Sequence, residues 1–203
     1  MKSNEKNILK REQEIIEAAQ DVFALYGYEK VTMDDVAAKL NIKRSALYYY
    51  YKSKDDLFVS LGEYEFRRYE KELQIAVFSA GSTDEKFAAF CRTFLPLRKR
   101  FRDLYKLASD DFPFPFETHK KLKTMMGDIH VAVIKDIFLN DKKTCNIENI
   151  EFYSILLNNS IRGVVFNSYN VSIELLDYNI IKLCKIFSHG LREADAVKSD
   201  HTR

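Results

Sequence analysis

Apolar residues recur every three to four positions along most of the chain, and the two-residue alternation of half-buried strands is scarce. With only 6 glycines and 3 prolines in 203 residues, this pattern predicts an all-α protein of about nine helices. Ile15, Ala19, Val22, Phe23 and Tyr26 share one face of a first helix, and Gly27 supplies its left-handed stop. A short second helix begins after Thr32, an N-cap with Asp35 three residues on, and carries Val36, Ala37 and Leu40. Asn41 tolerates the left-handed backbone of a tight turn, and a third short helix then directs Ala46, Leu47 and Tyr50 inward. Ser53, with Asp56, caps a long fourth helix through Leu57, Leu61, Tyr64, Phe66 and Leu73 to about Phe78.

After Gly81 as C-cap and Ser82–Glu85 as a capping box, Phe87, Phe90, Cys91 and Phe94 mark a fifth helix that breaks near Pro96. A sixth carries Leu97, Phe101, Leu104 and Ala108. The run Phe112-Pro113-Phe114-Pro115-Phe116 excludes helix. It reads equally as a flap over a cavity or as a plug for a core gap. A helix from about Thr118 to Asn140 follows, and two more close the chain, at about 147–169 and 175–192. Residues 1–9, and those from about Asp195, read as loose ends.

The closing pair is apolar around much of its circumference, more than one core can cover. A second copy of the chain is the economical partner. Phe152, Leu156, Val164, Ile180, Cys184, Phe187 and Leu191 are the candidate dimer contacts.

Charge singles out one region. Residues 39–54 hold Lys39, Lys43, Arg44, Lys52 and Lys54 and no acid, whereas the remainder has 27 basic against 30 acidic residues. Clustered cations on a helix-turn-helix with a tyrosine-rich second helix form a surface suited to phosphate. Lys43, Arg44, Ser45 and Ala46 stand nearest base edges, where arginine commonly reads guanine. Thr32, Tyr48, Tyr49 and Lys54 are the candidate phosphate contacts. A second basic run, Arg98 to Lys106, has no accompanying motif and reads as a solvated face.

Other chemistries find little support. No apolar run reaches a membrane span and the N-terminus has no signal-peptide core, so a cytoplasmic protein without a membrane partner is expected. Cys91, Cys145 and Cys184 have no metal or disulfide spacing. His119 and His130 share a face without a third ligand, and neither Cys184 nor Ser188 forms a helical nucleophile–base pair with His189. No enzyme, metal or cofactor is expected.

Residues 15–61 resemble, without a gap, the DNA-binding domain of the TetR family of bacterial transcriptional regulators. Ile16, Ala18, Ala19, Val22, Phe23, Tyr26, Gly27 and Tyr28 carry the match, as do Thr32, Val36, Ala37, Leu47, Tyr48, Tyr50, Tyr51, Ser53, Lys54, Leu57 and Leu61. The chain departs from the family pattern at Asn41 (usually Gly), Lys43 (Ser or Thr), Ser45 (often Gly) and Tyr51 (Phe). Lys43 is a poor N-cap, and the operator sequence does not transfer.

The resemblance implies a DNA-binding domain over 1–52 and an effector-binding and dimerisation domain over 53–203. It implies a repressor that binds a pseudo-palindromic double-stranded operator as a homodimer and is released by a small apolar or amphipathic effector. Phe87, Phe90, Phe94, Tyr105, Phe114, Met125, Met126, Ile129 and Phe166 are the candidate pocket. The alternative is a DNA-binding regulator that answers to a protein partner or to no small molecule.

Overall fold

The computed structural model describes residues 2–104, 116–144, 147–166 and 171–200, and among them it is entirely helical. Eight helices follow in order: α1 Lys2–Tyr26, α2 Met33–Lys39, α3 Arg44–Tyr50, α4 Lys54–Phe78, α5 Thr83–Leu104, α6 Phe116–Leu139, α7 Ile150–Phe166 and α8 Ile173–Asp200. The expected break at Pro96 does not occur; α5 continues through it. Pro96 lies on the exposed side of the helix, where water takes up the carbonyl that its missing N–H leaves free. The expected fifth and sixth helices are therefore one. Likewise, α1 already begins at Lys2 and α8 runs on to Asp200, so neither end is the loose segment that its polarity suggested. Phe112 to Pro115, with Tyr105, lie outside the described residues.

The chain divides into two compact units. Unit 1 is 1–68 with 98–125; unit 2 is 69–97 with 126–203. α4, α5 and α6 each run from one unit into the other in sequence.

In unit 1, Ile15, Ala19, Val22 and Phe23 of α1 are buried with Val36 and Ala37 of α2, Leu47 of α3 and Leu57, Phe58 and Leu61 of α4. Tyr26, expected on the same face as Phe23, is exposed instead. Phe58 is the aromatic hub: its ring lies 4.9 Å from both Phe23 and Tyr28, edge to face in each case. Gly27, at φ 79°, ends α1 in the left-handed region that glycine enters without strain. Gly62 has a different reason to be glycine. A Cβ there would come within 2.4 Å of the Leu122 side chain, so its absence lets α6 close onto α4. Lys121 and Glu63 pair at 3.4 Å beside that contact.

In unit 2, Phe87, Phe90, Cys91 and Phe94 are buried as the periodicity requires, with Val133, Ile134, Ile137 and Phe138 of α6 and Leu157 and Ile161 of α7. α4 closes at Phe78 through bonds from the Ser79 amide and hydroxyl to the Ile75 carbonyl, three residues before the expected glycine cap. Gly81 is absent from the positive-φ glycines. The Ser82–Glu85 capping box does form, with bonds of 2.8 and 3.2 Å. Cys91 and Cys184 are free, buried, small core residues. The bond to Cys184, reinforced by burial, pushes the Cys91 thiol up and keeps it protonated.

Candidate nucleic-acid interface

Local rules build the helix-turn-helix. The Thr32 hydroxyl accepts from the Asp35 amide at 3.3 Å, and the Asp35 carboxylate accepts from the Thr32 amide at 2.8 Å, a complete capping box. The Thr32 hydroxyl also donates to Asp35 at 2.7 Å, and these bonds to Thr32 hold the Asp35 carboxyl below the usual range. Asn41 takes φ 53°, so the left-handed residue of the turn is indeed asparagine. α3 starts with no side-chain cap at Lys43, as expected from that residue. It is held instead by Leu47, its one buried residue.

That single anchor decides what α3 presents. Lys43, Arg44, Ser45 and Ala46 are all exposed. Ala46 does not turn inward as its apolar character suggested; on this first turn the inward direction belongs to Leu47. Tyr48 and Tyr49 are exposed as well, Tyr49 by 79 %, and the Tyr49 ring stands edge-on to Tyr50 at 5.2 Å.

Three of the five basic side chains, Lys39, Arg44 and Lys54, are engaged within the protein. One Arg44 nitrogen donates to Asp34 at 2.8 Å and another to the Tyr48 hydroxyl at 3.0 Å, with the guanidinium over the Tyr48 ring. The Tyr48 bond and the Asp34 charge both favour its charged form. Three of the five guanidinium donors remain for other acceptors. Lys39 pairs with Asp21 at 3.0 Å. Lys54 opens α4, where Ser53 caps by accepting from the Asp56 amide at 3.0 Å. Its ammonium donates to the carbonyls of Tyr28 at 3.0 Å and Glu29 at 3.3 Å and sits 4.6 Å from the Tyr28 ring centre. The Tyr28 hydroxyl in turn donates to Asp55. Burial, then that bond, raises the Tyr28 phenol. Lys54 thus ties the loop after α1 to the start of α4.

The same unit has an open cleft of about 710 Å³, lined by Glu12, Tyr50, Tyr51, Glu63, Tyr64 and Arg67 among others. Burial, with the Glu12 charge second, pushes the Tyr51 phenol up to about 12 there.

The remaining candidates lie elsewhere. Phe87, Phe90 and Phe94 are buried in unit 2, with Met126 and Ile129 packed half-buried against that core. Met125 falls in unit 1. Tyr105 and Phe114 lie outside the described residues, as does the Phe166 side chain. Of the dimer candidates, Ile180, Cys184 and Leu191 are covered by their own chain. Val164 and Phe187 are half-buried, and Phe152 and Leu156 are exposed. The periodicity of α8 has two apolar stripes, and the sequence alone did not say which one faced inward. The outward stripes are Phe152, Ile155 and Leu156 on α7 and Leu175, Tyr178 and Ile186 on α8.

A polar cluster within unit 2 escaped the sequence reading. His130, considered there only as a metal ligand, is buried, and its Nε2 lies 2.9 Å from the Tyr69 hydroxyl. Phe94, Phe90 and Tyr69 enclose the ring edge to face, with centroids at 4.5, 5.1 and 5.8 Å. Burial first, and the Arg162 charge second, lower the His130 pKa to about 3, so the imidazole is neutral. Burial also raises the Tyr69 phenol above its ordinary range. Asn158, 2 % exposed, meets His130 through a side-chain hydrogen bond that favours the charged ring, against the larger effect of burial. Among the described residues, no group of three or more His, Cys, Asp or Glu is placed to hold a metal, and no helix is long and apolar enough to cross a membrane.

Residues 15–61 match the model of a family described as bacterial regulatory proteins, tetR family. Over 50 residues the chain is 42 % identical to the probable acrEF/envCD operon repressor of Escherichia coli K12, a match covering 25 % of this chain and 23 % of that protein. It is 21 % identical over 187 residues to the HTH-type transcriptional regulator QacR of Staphylococcus aureus, covering 87 % of this chain and 96 % of that one. The crystal structure of a transcriptional regulator from Cytophaga hutchinsonii superposes with a TM-score of 0.67 at 24 % identity, over 85 % of this chain and 94 % of that one. The strong identity is thus confined to the helix-turn-helix region. Beyond it, the likeness is one of fold.

Proposed function

We propose, from the match of residues 15–61 to the tetR family model, that the chain is a TetR-type transcriptional repressor acting in the cytoplasm. It binds a pseudo-palindromic operator as a homodimer and is released by a small apolar or amphipathic effector held in its C-terminal domain, 53–203. The observation that carries this reading is the first turn of α3. Four consecutive residues, Lys43 to Ala46, face solvent while Leu47 fixes the helix beneath them. A helix anchored by one core residue, with its N-terminal turn free, is the arrangement that places side chains at base edges in the major groove.

In the bound state Arg44 exchanges Asp34 for a base acceptor, or keeps it and uses its free donors; either gives a bidentate reach to guanine. Tyr48, Tyr49 and Lys54 meet phosphates, and Thr32 does so through its exposed position beside them. The outward stripes of α7 and α8 support the dimer. Phe152 at 60 % and Ile186 at 64 % exposure are large apolar side chains that a second copy would cover. A symmetric dimer would present two α3 helices to half-sites about one helical turn apart.

Selection of bound fragments from random duplex DNA tests the proposal. The expected product is a pseudo-palindrome, and Arg44→Ala protein is expected to return one with relaxed base preference at one position per half-site. Recovery of no common sequence in dilute salt overturns the reading.

A further inference from the structure

We infer that Asp34, in the first turn of α2, is a specificity-determining residue for the DNA reading of α3: it aims the Arg44 guanidinium at base edges and withdraws its charge from phosphate. This role rests on the proposed DNA-binding function and is exerted through Arg44. The two helices meet across the turn at Asn41. One Arg44 nitrogen donates to the Asp34 carboxylate at 2.8 Å and another to the Tyr48 hydroxyl at 3.0 Å. The guanidinium also lies over the Tyr48 ring, 5.2 Å from its centre. Together these contacts fix the plane of a side chain that otherwise has many rotamers to lose. Asp34 is the carboxylate of α2 available for this, because its neighbour Asp35 is taken up by the Thr32 capping box. Both partners stay open to a duplex, with side chains 57 % and 59 % exposed.

An arginine held in this way serves bases and is nearly silent toward phosphates. The ion pair is net neutral, so it adds little to the sequence-independent attraction that grows with clustered Lys and Arg. The guanidinium donors that Asp34 and Tyr48 leave free still suit the O6 and N7 acceptors of guanine. Tyr48 accepts from Arg44 and keeps its own hydroxyl hydrogen for a phosphate oxygen. Arg44 therefore keeps Asp34 in the bound state. A wrong base leaves the free donors unmatched, and the charge that could compensate at the backbone is already engaged. Without the carboxylate, Arg44 swings to phosphate, and non-specific binding gains what discrimination loses.

The test compares the full-length parent with Asp34→Asn, Asp34→Glu, and Asp34→Asn combined with Arg44→Ala. Each is titrated over a range of salt with the selected duplex, with its variants at the Arg44-dependent base pair, and with random duplex. Asp34→Asn is expected to bind random duplex about fivefold tighter in dilute salt, with a slope of log affinity against log salt steeper by about one unit. Its base preference at the Arg44-dependent position is expected to fall about fivefold, at the melting temperature of the parent. Asp34→Glu, which keeps the charge on a longer arm, is expected to keep the parent slope and lose part of the preference. In the Arg44→Ala background, Asp34→Asn is expected to leave base preference as it stands. Unchanged slope and preference in Asp34→Asn overturn the role of Asp34 and leave the selected sequence of the parent intact. A steeper slope with full base preference reduces Asp34 to a repulsive surface charge and overturns its specificity role. Further loss of preference in the Arg44→Ala background overturns the route through Arg44. A parent that selects no sequence overturns the DNA-binding reading itself.

Discussion

The helix-turn-helix in unit 1 and the aromatic core of unit 2 are built by different means. In the first, most functional side chains owe their positions to neighbours within a few residues. Thr32 and Asp35 cap one helix, Asn41 turns the chain, and Leu47 points Lys43 to Ala46 outward. In the second, Tyr69, His130 and Asn158 lie on separate helices, up to 89 positions apart in the chain, and only packing brings them together. The lesson is that short-range backbone rules make a surface legible, whereas a buried polar cluster depends on which apolar stripes meet.

That contrast can be tested by perturbations of decreasing size. The largest effect is expected where even unit 1 depends on long-range packing. Phe58→Ala removes the ring shared by Phe23 and Tyr28. It should lower stability by about 3–5 kcal/mol, read by urea unfolding. A loss below about 1 kcal/mol would mean that local caps hold the module without its aromatic hub.

Acid comes next and addresses unit 2. The His130 pKa is depressed from 6.5 to about 3, so the unfolded chain binds the proton more readily than the folded one. Stability contributed by the neutral ring is present above pH 6.5 and is lost as pH falls toward 3. Moving from pH 7 to pH 5 should cost about 2 kcal/mol from this group. His130→Leu protein should show a correspondingly flatter dependence; parallel slopes would remove His130 as the cause.

Thr32→Ala, which breaks the capping box, should cost about 1 kcal/mol and, if the module is locally built, should weaken DNA binding along with it. The smallest expected change is in the salt dependence. Lys54→Ala should reduce the slope of log affinity against log salt by about one unit, evenly across sequences. Because Lys54 also bonds the Tyr28 and Glu29 carbonyls, its melting temperature should fall too. A lower melting temperature with an unchanged slope would leave Lys54 a purely structural residue.

Much of this was visible in the sequence, and the failures have identifiable causes. The helical class, the turn at Asn41, the weak start of α3 at Lys43 and the caps at Ser53 and Ser82 all follow from rules acting over one helical turn. Pro96 was misread because proline in a helix is costly but not forbidding where water reaches the freed carbonyl. Ala46 and Tyr26 were misread because apolar character alone does not say which way a residue points. Ile180, Cys184 and Leu191 were assigned to the dimer because α8 carries two apolar stripes, and periodicity ranks neither.

By itself, then, the sequence determined where helices start and stop and which short segment carries the positive charge, because those properties depend on neighbouring residues along one chain. Tertiary structure alone decided that Gly62 admits Leu122, that Phe58 joins Phe23 and Tyr28, and that His130 is walled in by phenylalanines beside the Tyr69 hydroxyl. Each of these depends on the distance between residues remote in sequence, and no local pattern encodes that distance.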